Sequence, residues 1–260
     1  SLLVDDRGAV WVGHFQAGLD YSLYQNGLFR TYAYPPLFNS ANLSIRSFVN
    51  RGQEKVIGSR DGLFYINEAT GVVKSFVKPV LTSDLILTIS FYQGEYYIGT
   101  YGGGMMVLNP GTLSLKYFAQ GDTELFQKGH IFCVKPDAKG NLWIGTSQGL
   151  FCYNGQTKQI KHFTSANSQL PEGNVYEVSF DSTGKGWIAT ETGMCIYDPA
   201  SQSLRSNVFP EGFVHRDKVR TIYEDAGHNL YFIREKGSLF TSTLTMDRFQ
   251  NRSIFSTLPD

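Results

Sequence analysis

Six residues at the tips of short turns could do chemistry together if the fold gathered them: His14, Arg60, Tyr101, Gln148, Glu191 and Arg234. Phe15, Asp61 and Glu235 stand beside them. Such a mixture suits a sugar, because an aromatic face covers the ring while guanidinium, amide and carboxylate groups make paired hydrogen bonds. Taken singly, each is equally well read as a solvated turn tip, and only convergence in one cleft would make them a site. The second chemistry to weigh is catalysis, with His14, His130 and His215 near Glu191 and Glu235 as acid–base or metal-binding groups. No His/Glu pair recurs at fixed spacing and no Ser/His/Asp order stands out, so no catalytic residue, metal or cofactor is expected.

The elements that carry these tips are copies of one unit. In its fullest form the unit is Gly140-Asn141-Leu142-Trp143-Ile144-Gly145-Thr146, a turn followed by Ser147-Gln148-Gly149 and a second apolar run, Leu150 to Tyr153. This reads as a β-hairpin whose Gly145 leaves room for something close to the backbone. The same pattern returns around Trp11 and Gly13, Gly58, Gly99, Trp187 and Ala189, and more weakly at Ile233. The anchor positions 13, 58, 99, 145, 189 and 233 are spaced by 45, 41, 46, 44 and 44 residues. A period of about 40 to 50 residues with several strands per period predicts a β-propeller.

Each period predicts four strands. In the fourth repeat they are 131–135, 142–146, 150–154 and 159–163. The six repeats run approximately 1–40, 41–82, 83–127, 128–172, 173–216 and 217–260, an all-β chain of six visible four-stranded blades. The chain opens inside a first strand and closes on Leu258-Pro259-Asp260, which resembles the segments before other first strands. An excerpt of a seven-bladed or double-propeller region is therefore expected. The turn tips and the longer segments between repeats should share one face, where variable chemistry can collect on a fixed scaffold.

Other motifs have plainer readings. Trp11, Trp143 and Trp187 fall at one place in their repeats and should pack between neighbouring blades. The Asp-x-x-Gly turns at 5–8, 137–140 and 181–184, with a variant at 225–228, offer one or two carboxylates each, too few for calcium. They read as turns that an Asp side chain opens and a positive-φ Gly closes. Gly102-Gly103-Gly104 lacks the Lys-Ser/Thr pair of a phosphate loop and reads as a flexible turn. Cys133, Cys152 and Cys195 sit in apolar strand patterns without metal spacing, so they should behave as small hydrophobes.

The chain of 260 residues has 23 basic and 23 acidic side chains, which leaves no net field to attract nucleic acid or an anionic membrane. No apolar stretch reaches the roughly 18 residues that would span a bilayer as a helix. Aromatics at 14% and 27 glycines suit many short strands joined by tight turns.

The run from Asp137 to Leu150 resembles the repeat of two-component regulator propellers. Trp11-Val12-Gly13, Tyr97-Ile98-Gly99-Thr100 and Trp187-Ile188-Ala189-Thr190 match more loosely, while the second and sixth repeats depart further. The resemblance implies a periplasmic sensor region of a hybrid two-component receptor, itself non-catalytic, in a parent that is a histidine kinase. It also implies a homodimer, a neighbouring propeller and a β-sandwich as partners within the receptor, a membrane helix elsewhere in the parent, and an oligosaccharide from glycan breakdown as signal. The rival readings are a propeller enzyme (lyase, lactonase or glycosidase) and a protein-interaction scaffold, for which Leu37, Phe38 and Phe213 are candidate patch residues.

Overall fold

The computed structural model describes residues 44–118, 124–206 and 218–232 in full. It gives the backbone alone at 2–4, 9–13, 19–23, 29–31, 123, 233–234, 239–243 and 249–251. The first repeat comprises β1 (Leu2–Val4), β2 (Ala9–Gly13), β3 (Leu19–Leu23) and β4 (Phe29–Thr31). The second comprises β5 (Ile45–Arg51), β6 (Glu54–Ser59), β7 (Leu63–Asn67) and β8 (Val72–Phe76). The third holds β9 (Ile86–Tyr92), β10 (Glu95–Thr100), β11 (Met105–Asn109) and β12 (Ser114–Tyr117). A short helix, α1 (Thr123–Lys128), precedes the fourth repeat, with β13 (Ile131–Pro136), β14 (Asn141–Thr146), β15 (Gly149–Asn154) and β16 (Ile160–Phe163). The fifth has β17 (Val175–Phe180), β18 (Gly186–Thr190), β19 (Gly193–Asp198) and β20 (Ser203–Arg205). The sixth has β21 (Val219–Glu224), β22 (Asn229–Arg234), β23 (Leu239–Thr243) and β24 (Phe249–Asn251).

Each repeat is one four-stranded sheet, and in every sheet the spatial order is the chain order. The strands of the fourth repeat fall within a residue of their expected limits. Helix α1 was not expected. Its charges favour it, with Glu124 in the first turn and Lys128 in the last. Leu125 and Phe126 anchor it by full burial.

The chain divides into two compact units, Ser1–Ile131 and Phe132–Asp260. Among the described residues, β6, β10, β14 and β18 are buried on both faces, at five consecutive positions each. That explains why they read as continuous apolar runs and not as alternating ones. The fourth strands are mostly exposed, as in β8 and β12.

The small anchor residues are fixed by close approach. A Cβ on Gly58 would lie 2.5 Å from Cγ2 of Ile86, and one on Gly99 would lie 2.7 Å from Cγ2 of Ile131. In the second unit a Cβ on Gly145 would meet Sγ of Cys133 at 2.5 Å and the carbonyl oxygen of Val175 at 2.7 Å. Ala189 occupies the same place and packs in one cluster with Val219. Ile86, Ile131, Val175 and Val219 each open, or nearly open, the first strand of the following repeat, so the missing side chain is what lets consecutive sheets meet.

The Asp turns are clasps. Oδ1 of Asp181 accepts the backbone N–H of Thr183 and Lys185, and Oδ2 accepts Nε1–H of Trp187 at 2.7 Å. Asp137 does the same for Lys139, Asn141 and Trp143. Asp225 accepts Gly227, Asn229 and the Tyr231 hydroxyl, and bonds of this kind, those from Asn229 foremost, hold its carboxyl down at about 2. Positive φ falls on Gly140 and Gly184 as expected, but in the variant turn it falls on His228 and not Gly227. In the first unit, where no Asp stands at this place in the second repeat, Glu54 accepts both Tyr65 and Tyr96 hydroxyls.

Trp143 packs against Phe163 of its own sheet and Phe180 and Tyr197 of the next, with Tyr197 at 4.5 Å. Trp187 reaches Phe232 of the sixth sheet at 5.6 Å. Both are inter-sheet packing residues, as their spacing predicted. The side chain of Trp11 lies outside the described residues, and of Gly13 only the backbone is described.

The turns carry two consequences for stability. Asp181→Ala removes the acceptor of the Trp187 Nε1–H and of two backbone donors, so chemical denaturation should show a loss of about 2–4 kcal/mol. Lys158 holds φ at 61° in the turn between third and fourth strands, where the second repeat has Gly71 at 70°. Lys158→Gly should therefore raise the stability by about 0.5–1 kcal/mol in the same assay.

Candidate functional site

The turn between second and third strands is tied down the same way in four repeats. The hydroxyls of Ser59, Thr100, Thr146 and Thr190 donate to the carbonyls of Gly62, Gly104, Gly149 and Gly193. All four hydroxyl residues are fully buried. The next residue is then presented at the tip. Its backbone N–H reaches the segment that enters the same repeat: Arg60 to Ser44, Tyr101 to Leu85 and Glu191 to Asn174. In these three sheets tips and entering segments thus lie on one side.

Arg60 is exposed and shares the first unit with Tyr101. Tyr101 is 50% exposed and stacks on His130 with ring centroids 4.0 Å apart. Beneath it the triple glycine is pinned, a correction to the flexible turn expected. Thr82 donates to the Gly103 carbonyl, Ser83 donates to the Tyr101 carbonyl, and the Gly104 N–H donates to Gly129. A Cβ on Gly104 would run into the Phe126 carbonyl, which is why glycine stands there.

In the second unit Gln148 is exposed, and its backbone carbonyl meets a ring nitrogen of His162 at 2.8 Å. Glu191 is half-buried, and its carboxylate accepts the Asn174 N–H. The two do not share a contact. His14, Phe15, Leu37, Phe38, Phe213, His215 and Glu235 lie outside the described residues, and so does the side chain of Arg234.

Sequence reasoning missed a row of side chains on the first strands. The first and second strands of the second, third, fifth and sixth sheets shift register beside the anchor residue. Each shift leaves one first-strand residue out of the pairing: Arg46, Leu87, Tyr176 and Arg220. A bulge of this kind re-aims a side chain and ends regular pairing, as at the rims of barrels and beside active sites. In the second unit the bulge residues meet. Phe132, which follows the counterpart Ile131, packs edge-on against Tyr176 at 5.1 Å. The guanidinium of Arg220 lies 4.6 Å from the Tyr176 ring centroid and Nζ of Lys218 lies 5.0 Å from it. Asn174 donates to the Tyr176 hydroxyl at 3.0 Å. Nearby, Lys135 pairs with Glu177 at 3.3 Å, and burial raises the Glu177 carboxyl against the pull of that lysine. The signal was present as an aromatic or basic residue directly after the first apolar residue of the first strand at Arg46, Phe132, Tyr176 and Arg220, though not at Leu87, and their gathering leaves no pattern in one chain.

A cleft of about 420 Å³ opens elsewhere in this unit, between the fourth strands β16 and β20. Lys161, His162, Asn167, Gln169 and Gln202 line it over Phe163 and Leu204. Most of these polar groups are spent locally, with Asn167 bonded to Thr164 and His162 and Gln169 to Ser206. Among the described residues, no group of three or more His, Cys, Asp or Glu side chains could hold a metal ion.

Three comparisons bear on these surfaces. A family model, the two component regulator propeller, matches residues 126–148. The extracellular domain of the hybrid two component system BT3049 from B. thetaiotaomicron is 25% identical with a TM-score of 0.70, over 92% of this chain and 32% of that one. The extracellular domain of BT4673 from the same organism is 16% identical with a TM-score of 0.74, over 96% of this chain and 32% of that one. The β-propeller domain of Cps50 from Myceliophteria thermophila has a TM-score of 0.67 at 12% identity, over 96% of this chain and 84% of that one, a likeness of fold alone. The chain thus spans about a third of the two sensor structures it matches. No curated protein matches it. The fold is a β-propeller arrangement of six four-stranded repeats, similar to the extracellular domains of hybrid two-component systems.

The cysteines are placed to pack. Cys133 and Cys195 are buried, and burial drives both thiols far up, while burial pushes Cys152 up to about 12. Ellman titration at pH 7 should find the thiols unreactive in the folded protein, with all three appearing on denaturation.

Proposed function

We propose that this chain is a ligand-sensing propeller of a hybrid two-component signalling receptor, placed outside the cytoplasm and responding to an oligosaccharide released by glycan breakdown. The observation that carries the reading is the likeness to the BT3049 extracellular domain over 92% of the chain, joined to the regulator-propeller match. The surface suits the role. Tyr101 over its pinned glycine turn and the Tyr176 row each combine an exposed or half-exposed ring with hydrogen-bonding groups, the two ingredients of sugar recognition. Both are held on rigid backbone, which keeps the ordering cost of binding low.

In this reading the parent chain is a histidine kinase of the periplasm and inner membrane, dimeric, with further sensor modules beside this one. The segment performs no chemistry. Ligand binding favours one arrangement of the receptor dimer, and the kinase output tracks the shift in population. His14, Arg60, Tyr101, Gln148, Glu191 and Arg234 are each candidate ligand contacts in this reading.

The test is a thermal-shift screen of the intact sensor region against size-matched oligosaccharides. A ligand bound only by the folded state raises the melting temperature by mass action, about 2.7 kcal/mol of stabilisation at 100 times Kd. At least one glycan class should raise it, and Arg60→Ala or Tyr101→Ala should weaken that hit while leaving the unliganded melting temperature unchanged. Silence across neutral and acidic panels alike would remove the sugar-sensing role.

A further inference from the structure

We infer that the outer cleft of the second unit, between β16 and β20, is a binding site for a neutral saccharide chain, separate from the turn tips. The inference rests on the sensing role proposed above for its ligand and adds a second place of contact. At about 420 Å³ the cleft falls within the roughly 300–1,000 Å³ of small-molecule sites. Two carboxamides, Gln169 and Gln202, line it above Phe163 and Leu204. Its walls are held in place before any ligand arrives. Asn167 accepts the Thr164 N–H at 2.8 Å, and the Ser168 hydroxyl donates to the Thr164 carbonyl at 2.6 Å, which fixes the loop after β16. The His162 ring lies flat on Phe151 at 3.9 Å, and its Nε2–H donates to the Gln148 carbonyl. Trp143 stacks on Phe163 at 5.9 Å. Little ordering cost is left for binding to meet.

The occupant follows from what the two strands withhold. β16 and β20 are the outermost strands of their sheets, and an exposed edge invites an added peptide strand. Both edges are closed against one. The His162 carbonyl accepts Nδ2–H of Asn167 at 3.0 Å, and the Ser206 N–H, one residue past β20, donates to Oε1 of Gln169 at 3.2 Å. β20 itself is three residues long, too short to template a partner. Recognition is left to side chains. A carboxamide carries donors and an acceptor together, as a sugar hydroxyl does, so the two match in pairs. An anion would meet amide oxygens as well as amines, and it would find one ammonium, Lys161, whose Nζ lies 4.7 Å from the Phe163 ring centroid. The lining therefore fits an uncharged, hydroxyl-rich chain.

The experiment is hydroxyl-radical footprinting, read by mass spectrometry, on the intact protein that carries this chain. The probes are cellohexaose, mannohexaose, xylohexaose, hexagalacturonate and a tryptic digest of casein. At least one neutral hexasaccharide should protect the peptides that hold residues 161–169 and 202–204. Gln202→Gly removes one amide at an exposed residue whose φ of 51° glycine adopts freely, so the fold should keep its melting temperature. That variant should need roughly fivefold more of the probe for half-protection of the cleft, while protection at Tyr101 is unchanged. Protection confined to turn tips such as Tyr101, or a cleft footprint indifferent to Gln202→Gly, overturns the inference and leaves the sensing role standing. Cleft protection by hexagalacturonate at lower concentration than any neutral probe overturns the neutral class. Protection by the casein digest alone makes the cleft a peptide site and overturns the inference. Protection by none of the probes anywhere overturns both.

Discussion

A first strand must come to rest against the middle of the preceding sheet, and there is room for it only where that sheet carries no side chain. At Gly58, Gly99 and Gly145 a single Cβ would sit 2.5–2.7 Å from Ile86, Ile131 or the Val175 carbonyl oxygen, well inside van der Waals contact. Overpacking of that kind costs roughly 1–3 kcal/mol at one site. Here it would also push whole sheets apart, because the contact is made by backbone and β-branched side chains that cannot swing away. Ala189 shows that one methyl is tolerated where the residue opening the next first strand is Val219. The first strands are bulged at this same place, so the close approach and the loss of ladder pairing belong to one feature.

The contact imposes a division of labour within each sheet. The second strand is the most deeply buried, and where it carries a tryptophan, at Trp143 and Trp187, that residue fills the gap between sheets. The Asp or Glu clasp at the far end holds an aromatic by its polar edge: Asp137 and Asp181 take an indole N–H, Asp225 and Glu54 a phenol. A buried Ser or Thr closes the opposite turn. With both ends secured, the residue just past the hydroxyl can vary, and Arg60, Tyr101 and Glu191 share that position with unrelated chemistry. The residue at this first-strand position varies in the same way, from Arg46 to Leu87, Phe132, Tyr176 and Arg220. Two variable positions per repeat on one rigid frame suit a sensor, since ligand specificity can change without touching the packing.

The proposed sensing role draws on both positions, but the two units contribute differently. In the first, Tyr101 stacks on a histidine above a turn that three hydrogen bonds hold still. In the second, the Gln148 backbone and the Glu191 carboxylate are bonded locally, and the row at Tyr176 carries the ring and the charge.

The sequence by itself determined the repeat, its period, the four strands of each copy and their limits in the fourth to within a residue, because these arise from local alternation, turn chemistry and recurrence. It determined that Trp143 and Trp187 pack and that the Asp turns are turns, since one side chain bonding its own backbone is a short-range event. It did not contain helix α1, whose six residues are too few to carry a periodic signal and which stands by burial of Leu125 and Phe126. Nor did it contain the stiffness of Gly102-Gly103-Gly104, which depends on Thr82, Ser83 and Gly129 arriving from outside the turn. Only the tertiary structure decided which side chains gather. Phe132, Tyr176 and Arg220 are 44 residues apart in succession and meet because each stands at the same place in its first strand, where consecutive sheets touch, a long-range coincidence that no local pattern encodes.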